Sequence, residues 1–372
     1  MSTKQISQQS ENRNIFQKMG LPSQPVILAP LAGVSDHPFR RVCTELKADL
    51  TYVEMISATA LNYESKKTYE MLKRHESEEI LGVQVTGRNA DDTASAVAIL
   101  NKLPFETIDI NMGCPVKKVV KTGCGSAILK DPARVYETVK KCKEATDKPL
   151  SVKIRLGWDR QMITAKEVAD AAEKGGADWL VVHGRTRADD YSVPVDLEGI
   201  AALKQQLNIP VIGNGNLFCE SDVKYMKSMT SVDGVMISRG ALGNPWIFES
   251  LKFPEQQLSL DDWLQTVMKH LDYQMAEYGA TGSGHVCMRK HLLWYAKGWP
   301  GVKSLKDKIN TSIDLNAARQ HIAMFAEEML NKGHLVRTPL NFLQEGRFQW
   351  DPKWDMDRKL DRGVGTDGLE AH

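Results

Sequence analysis

The chain has 372 residues, a net charge of +1 and ordinary shares of hydrophobic (42%) and charged (26%) residues. That length suits one large domain plus a smaller one, and the near-neutral balance excludes a global field that would draw the protein to polyanions, so any nucleic acid must be met by local patches. No apolar run approaches the roughly 20 residues of a membrane span; the six cysteines (Cys43, Cys114, Cys124, Cys142, Cys219, Cys287) contain no CxxC pair, so reduced thiols are expected rather than disulfides or a metal site.

Met1 to Gly20 is rich in Gln, Ser and Asn and lacks an apolar h-region. Residues 1–24 read as a loose leader, not a signal peptide. Short β-rich runs then recur at 26–29, 50–53, 82–85, 107–110, 151–154, 179–182, 210–213 and 234–237. The spacing leaves room for one helix and two loops each time. Helical stretches fit the gaps: 90–100, 132–145 behind an Asp131 N-cap with Pro132 at the first position, and 165–174 closed by Gly175-Gly176. Eight such units predict a (β/α)8 TIM barrel over residues 25–254. An open doubly wound sheet is the alternative, but the GxGxxG fingerprint is missing after the first strand.

Barrel enzymes keep their chemistry at the C-terminal strand ends. Here those ends carry Pro30-Leu31-Ala32-Gly33, Glu54, Gln84, Asn111 with Cys114, Lys153 with Arg155, His183 with Arg185, Asn214-Gly215, and Ser238-Arg239-Gly240. The run Ile108-Asp109-Ile110-Asn111-Met112-Gly113-Cys114-Pro115 stops at a Gly-Cys-Pro turn beside Lys117, Lys118 and Lys121. It presents a thiol on a loop, where an acid or nucleophile would stand. Each residue has a plain alternative: a small residue filling a turn, a surface lysine, a hydrogen-bonded core histidine. Eight strands delivering polar groups to one rim argue against coincidence.

Several motifs carry a resemblance. They are Ala29-Pro30-Leu31-Ala32-Gly33-Val34-Ser35-Asp36, Asn111-Met112-Gly113-Cys114-Pro115 and Val152-Lys153-Ile154-Arg155-Leu156-Gly157. His183-Gly184-Arg185-Thr186, Gly213-Asn214-Gly215 and Met236-Ile237-Ser238-Arg239-Gly240-Ala241 follow in order. Together they resemble the tRNA-dihydrouridine synthases, from about Pro25 to Phe325. Arg187 after the HGRT motif, and Arg289-Lys290-His291 through Tyr295, look most like the bacterial B-type branch.

The resemblance implies FMN as cofactor, NADPH as reductant and tRNA as substrate; the lack of an export signal and the cysteine usage point to the cytoplasm, and no obligate protein partner is evident. It implies that the Pro30-Leu31-Ala32 backbone lies against the flavin ring and that Gln84 pairs with the ring's polar edge. Lys153 is similar to the lysine that stabilises reduced flavin. Asn214, Gly215, Asn216, Ser238 and Arg239 resemble a phosphate grip, with exposed N–H groups and a guanidinium suited to a dianion. Ser238 stands where glycine is usual. His183 is expected to face the cofactor. Asn111 is expected at the uracil edge, and Arg185 at the base or an adjacent phosphate. The resemblance makes Cys114 the general acid that protonates C5 after hydride reaches C6. Thiols suit that task, being mostly protonated near neutral pH. Cys124 is read as packing in the Gly-rich loop.

After Pro254 the pattern turns helical, and residues 255–340 read as a small helical domain. Asp261-Asp262 suits a first turn. Met268, Leu271, Met275 and Tyr278 keep helical spacing until Gly279 and Gly282; helix resumes at 287–296 and 315–330. Between Thr281 and Asn310 there are six cations (Arg289, Lys290, Lys297, Lys303, Lys306, Lys308) and one acid, Asp307. With Trp294, Tyr295 and Trp299 interleaved, the patch reads as a tRNA-binding surface, Lys290 included. The plain reading is a solvated face with its aromatics in the core. The charged tail at 341–372, with Trp350 and Trp354, lies beyond the resemblance. Two rivals stand: a small-molecule FMN barrel reductase of the dihydroorotate-dehydrogenase kind, and an RNA-binding protein on an inactive barrel.

Overall fold

The structure, a computed structural model, describes residues 15–337; residues 1–14 and the expected tail lie outside them. Among the described residues there are ten strands: β1 Val26–Leu28, β2 Thr51–Ser57, β3 Leu81–Thr86, β4 Thr107–Asn111, β5 Leu150–Arg155, β6 Gly157–Asp159, β7 Met162–Ile163, β8 Trp179–His183, β9 Val211–Asn214 and β10 Gly234–Ile237. Eight of them pair in parallel in the order β1-β10-β9-β8-β5-β4-β3-β2. The ring closes between β1 and β2, where Leu28 N–H donates to Leu50 O at 2.9 Å and Asp49 N–H to Val26 O at 3.0 Å. That closure excludes the open sheet. All eight expected strands are there, with helices between them, including Ala90–Asn101, Pro132–Glu144 and Ala165–Lys174. The antiparallel β6–β7 hairpin was not anticipated.

Strand side chains alternate between two surroundings, as period two requires. Leu28, Val83, Val85, Ile108, Ile110, Val152, Ile154, Leu180 and Val182 pack outward into the helix layer. Ile27, Tyr52, Trp179, Val181, Ile212 and Met236 form a separate apolar cluster within the barrel. Phe16 belongs to that inner cluster, 1% exposed, its ring 5.6 Å from Trp179. The segment read as a leader is therefore partly structural: the helix Ile15–Lys18 plugs the N-terminal end of the barrel. Signals for this were weak, because one turn of helix carries a single anchoring aromatic.

The helices Leu260–Tyr278, Gly282–Tyr295, Val302–Thr311 and Leu315–Asn331 enclose their own core of Trp263, Leu271, Leu292, Tyr295, Ile322 and Met329, which Trp246 joins from the barrel side. Ser259 caps the first of these helices by accepting from Asp262 N at 3.1 Å. That helix also meets the barrel helix His37–Glu45. Glu277 accepts from Lys73 (2.5 Å) and pairs with His37 (3.2 Å), Tyr273 donates to Glu45 (2.7 Å), and Arg41 stacks 3.6 Å over the Tyr273 ring. The bundle thus covers one side of the barrel mouth.

Candidate active site

Towards their C-terminal ends the inward rows change from apolar to polar. The parallel register sets Gln84 beside Asp109, Asp109 beside Ser151, Asn111 beside Lys153, Arg155 beside His183, and His183 beside Asn214. Gln84 Nε2 donates to Asp109 Oδ2 at 2.7 Å, and Asn111 Nδ2 donates to Gln84 Oε1 at 2.8 Å. Asn111 Oδ1 then accepts from the backbone N–H of Gly113 (3.1 Å) and Cys114 (2.9 Å). The turn that presents the thiol is therefore built by the side chain three residues before it, a local amide-to-backbone closure open to Asn. Arg155 braces it from β5, donating to Gly113 O (3.0 Å) and Thr186 O (2.7 Å). The Cys114 carbonyl accepts from Ser126 N (3.0 Å) and Oγ (2.8 Å), and the cysteine remains partly exposed.

Lys153 Nζ donates to Asn214 Oδ1 at 3.2 Å. Burial pushes its ammonium well down from the usual range and Arg155 adds to this; Asp109 and Cys114 oppose it. Burial likewise raises Asp109, against the bonds from Ser151 and Gln84 and the attraction of Lys153. Asn214 ties three strands together, its Nδ2 reaching Met236 O (2.6 Å) and Ser238 Oγ (3.1 Å).

Beyond them, His183, Asn214, Gly215, Asn216, Ser238 and Arg239 line one small concavity with Tyr191 and Phe218. Gly215 (φ +121°) and Asn216 (φ +51°) turn the backbone there, and a Cβ on Gly215 would lie 2.8 Å from Val195 and 3.0 Å from His183. The Arg239 guanidinium lies 3.6 Å above the Tyr191 ring. Burial holds His183 well below the usual imidazole range, and the four charges acting most strongly on it are all cations: Arg155, Lys153, Arg185 and Arg239. Cations converging this way, two of them buried (Arg155 and Arg185), suit an anion such as a phosphate. Ser238 carries its extra hydroxyl without displacing this arrangement, by accepting from Asn214.

Pro30, Leu31 and Ala32 sit at the rim, in a loop whose Val34 N–H donates to Glu54 at 3.1 Å and whose Leu31 N–H donates to Ser35 Oγ at 2.8 Å. Two residues expected at the substrate have partners within the fold. Arg185 is fully buried and donates to Val193 O (2.6 Å), Tyr191 O (3.2 Å) and Asn216 Oδ1 (3.0 Å), with His183 Nε2 at 3.2 Å. Through Asn216 it braces the phosphate-like concavity. Lys290 Nζ donates to the carbonyl of Gly33, so it ties the bundle to the β1 loop. Tyr295 and Trp299 are buried in the bundle core, which removes them as stacking platforms; the plain reading of those aromatics was the right one. Asp109 and Tyr191 were missed. A lone acid inside Ile108-Asp109-Ile110 was the available signal for the first; the second had none.

A wider groove of about 890 Å³ lies between the barrel and the bundle, and none of the expected site residues line it. Among the described residues Asp36, His270 and His291 come close enough to hold a metal ion. Lys290 acts electrostatically on all three, which opposes a second cation.

The dihydrouridine synthase (Dus) family profile matches residues 27–331. The chain belongs to the dihydrouridine synthase family. It is 37% identical over 279 residues to tRNA-dihydrouridine synthase B of Pasteurella multocida, covering 73% of this chain and 84% of that protein. To the synthase B of Pseudomonas putida it is 37% identical over 312 residues, covering 82% and 91%. A probable tRNA-dihydrouridine synthase of Helicobacter pylori is 36% identical, covering 82% and 93%. These relatives agree with the B-type branch. Among solved structures, 6-hydroxypseudooxynicotine amine oxidase from Pseudomonas geniculata N1 superposes with a TM-score of 0.51 at 13% identity, over 65% of this chain and 50% of that one, a likeness of fold.

Proposed function

We propose that this chain is a flavin-dependent synthase that reduces the C5–C6 double bond of a uridine in the tRNA D-loop, in the cytoplasm, with FMN as cofactor and NADPH as reductant. Family membership supports the reaction class. The single observation that carries the site is the convergence of Lys153, Arg155, Arg185 and Arg239 on a buried, neutral His183 beside a glycine turn. That donor set fits a bound phosphate and an electron-rich ring. Asn214, Gly215, Asn216, Ser238 and Arg239 would hold the FMN phosphate, with Arg185 and His183 behind them. The Pro30-Leu31-Ala32 backbone, Gln84 and Lys153 would hold the ring. When bound, FMN supplies the hydride that goes to C6 of the uracil.

The chain's own residues handle the proton. Charge developing at C5 and O4 is met by the Cys114 thiol, which donates its proton to C5. Asn111 and Arg155 hold the turn that carries it. The free Nδ2 hydrogen geometry of Asn111 also suits the uracil edge, as one of its two amide hydrogens goes to Gln84. A uridine must leave its stack to reach this rim, at a cost of a few kcal/mol. Residues 25–254 would carry the chemistry. Residues 255–340 would meet the RNA through exposed Lys303 and Lys308 and half-buried Arg289.

The deciding experiment prereduces the flavin with NADPH without oxygen and adds unmodified tRNA. Flavin reoxidation with dihydrouridine by mass spectrometry is the expected result. A flavin that reduces but ignores tRNA would make the protein a reductase of something smaller.

A further inference from the structure

Asp109 is a fully buried carboxylate inside the barrel, with donors on both oxygens: Ser151 Oγ on Oδ1 at 2.6 Å and Gln84 Nε2 on Oδ2 at 2.7 Å. It is one end of a continuous chain. Gln84 Oε1 accepts from Asn111 Nδ2 (2.8 Å), and Asn111 Oδ1 accepts from the N–H groups of Gly113 and Cys114. Side-chain amides have a donor end and an acceptor end, and each link dictates the next. We propose that Asp109 is a positioning residue for Cys114: as an acceptor-only carboxylate it sets which way the Gln84 and Asn111 amides face, and so holds the turn that presents the thiol.

Polarity passes along this chain in one direction. Ionised Asp109 has no hydrogen to give, so Gln84 must turn its nitrogen towards it. Gln84 then shows its oxygen to Asn111, which must offer nitrogen there and oxygen to the turn. Reversing Gln84 would set its oxygen against the carboxylate and its NH2 against that of Asn111; reversing Asn111 would set NH2 against the Gly113 and Cys114 N–H groups, donor against donor. The mutual attraction of Asp109 and Lys153 favours the ionised carboxylate against the pull of burial. Asp109 is linked to the turn through Gln84 and Asn111, and its charge also acts on Lys153, which Cys114 meets electrostatically; Asp109→Asn separates the two routes, because it removes the charge and keeps an acceptor. That Cys114 is the proton donor rests on the function proposed above; that Asp109 holds the turn does not.

The test needs neither flavin turnover nor tRNA. Amide hydrogen exchange across residues 111–115 and the alkylation rate of Cys114 by iodoacetamide, read on its own peptide, are compared in the wild type, Asp109→Leu and Asp109→Asn. Asp109→Leu should speed exchange of the Gly113 and Cys114 amides and alkylation of the thiol by roughly two- to tenfold, the worth of a lost hydrogen bond. The rest of the barrel should keep its protection. Asp109→Asn can still present an oxygen to Gln84 and should restore most of the wild-type behaviour. If Asp109→Leu does not fold, Gln84→Met breaks the same chain one link on and should give the same local loosening. Unchanged exchange and alkylation at the turn, or loosening spread evenly over the barrel with no rescue by Asn, would overturn the proposal. Local loosening in a protein that makes no dihydrouridine even as wild type would sink the proposed reaction and leave this inference standing.

Discussion

Gly125→Ala is a small change aimed at the thiol. Gly125 has φ +58°, a left-handed conformation that costs an L-residue roughly 1–2 kcal/mol. An added Cβ would lie 2.8 Å from the Cys114 carbonyl oxygen and 3.0 Å from Cys114 Cβ, well inside the 3.4 Å at which ordinary contact begins. The nearest obstacle is backbone and cannot swing aside. That carbonyl is also anchored by Ser126 N and Oγ, so moving it strains two hydrogen bonds. Overpacking of this kind adds about 1–3 kcal/mol, which brings the expected destabilisation to about 2–5 kcal/mol. Urea unfolding measures it. The same displacement carries the thiol with it, and a misplacement near 1 Å can lower a rate about 100-fold. Single-turnover formation of dihydrouridine should fall towards that extent while flavin binding stays near wild type, because the phosphate-like concavity lies across the barrel mouth on β9 and β10. Wild-type stability together with a wild-type rate would refute the contact and the reasoning built on it.

Four further expectations follow from other parts of the molecule. Cys114→Ala should bind and reduce flavin normally but lose about 100-fold or more in dihydrouridine formation, the usual worth of a general acid; full turnover would remove Cys114 from the mechanism. Arg40→Met strips the guanidinium that donates to Glu78 at 2.7 Å in a pair with 1% and 0% of its side chains exposed, so urea unfolding should register a loss of about 3–5 kcal/mol. Burial drives His270 down to about 3, with Lys290 adding to it, so the folded chain keeps it neutral where the unfolded chain takes up a proton. Its stabilisation is complete above about pH 6.5 and is lost as pH falls from there towards 3; His270→Phe should flatten that acid slope by about 1.4 kcal/mol per pH unit, and equal slopes in urea titrations would contradict it. Affinity for tRNA, measured by filter binding, should fall steeply between 50 and 200 mM salt as a lysine-rich contact requires, with those concentrations chosen as a roughly physiological range; a flat response would exclude the bundle face as the RNA surface.

The strands were legible because each is a short apolar run with turn residues at both ends, and eight repeats leave few folds open. Asn111, Cys114, Lys153, His183 and Asn214 were legible as residues that end such runs. Their employment was not. Arg185 reads as rim chemistry because it is a cation after a strand; which groups it meets within the fold, Val193, Tyr191 and Asn216, was not legible. Lys290 looked like part of a basic surface, and the packing of the bundle on the barrel turned it inward to Gly33. Tyr295 and Trp299 read as interleaved aromatics, whereas helix rotation put them in the bundle core.

By itself the sequence determined the order of the elements, the polar ends of the strands and the thiol on its turn. These are local properties, set by alternation, capping and turn chemistry within a few residues. Tertiary structure alone decided which polar groups meet. Barrel closure brought Asp109 of β4 against Gln84 of β3 and Ser151 of β5, and gathered Lys153, Arg155, Arg185 and Arg239 around His183. Hydrogen-bond partners and burial depend on neighbours tens of residues apart, so the charge state and free valences of each group exist only once the ring has closed.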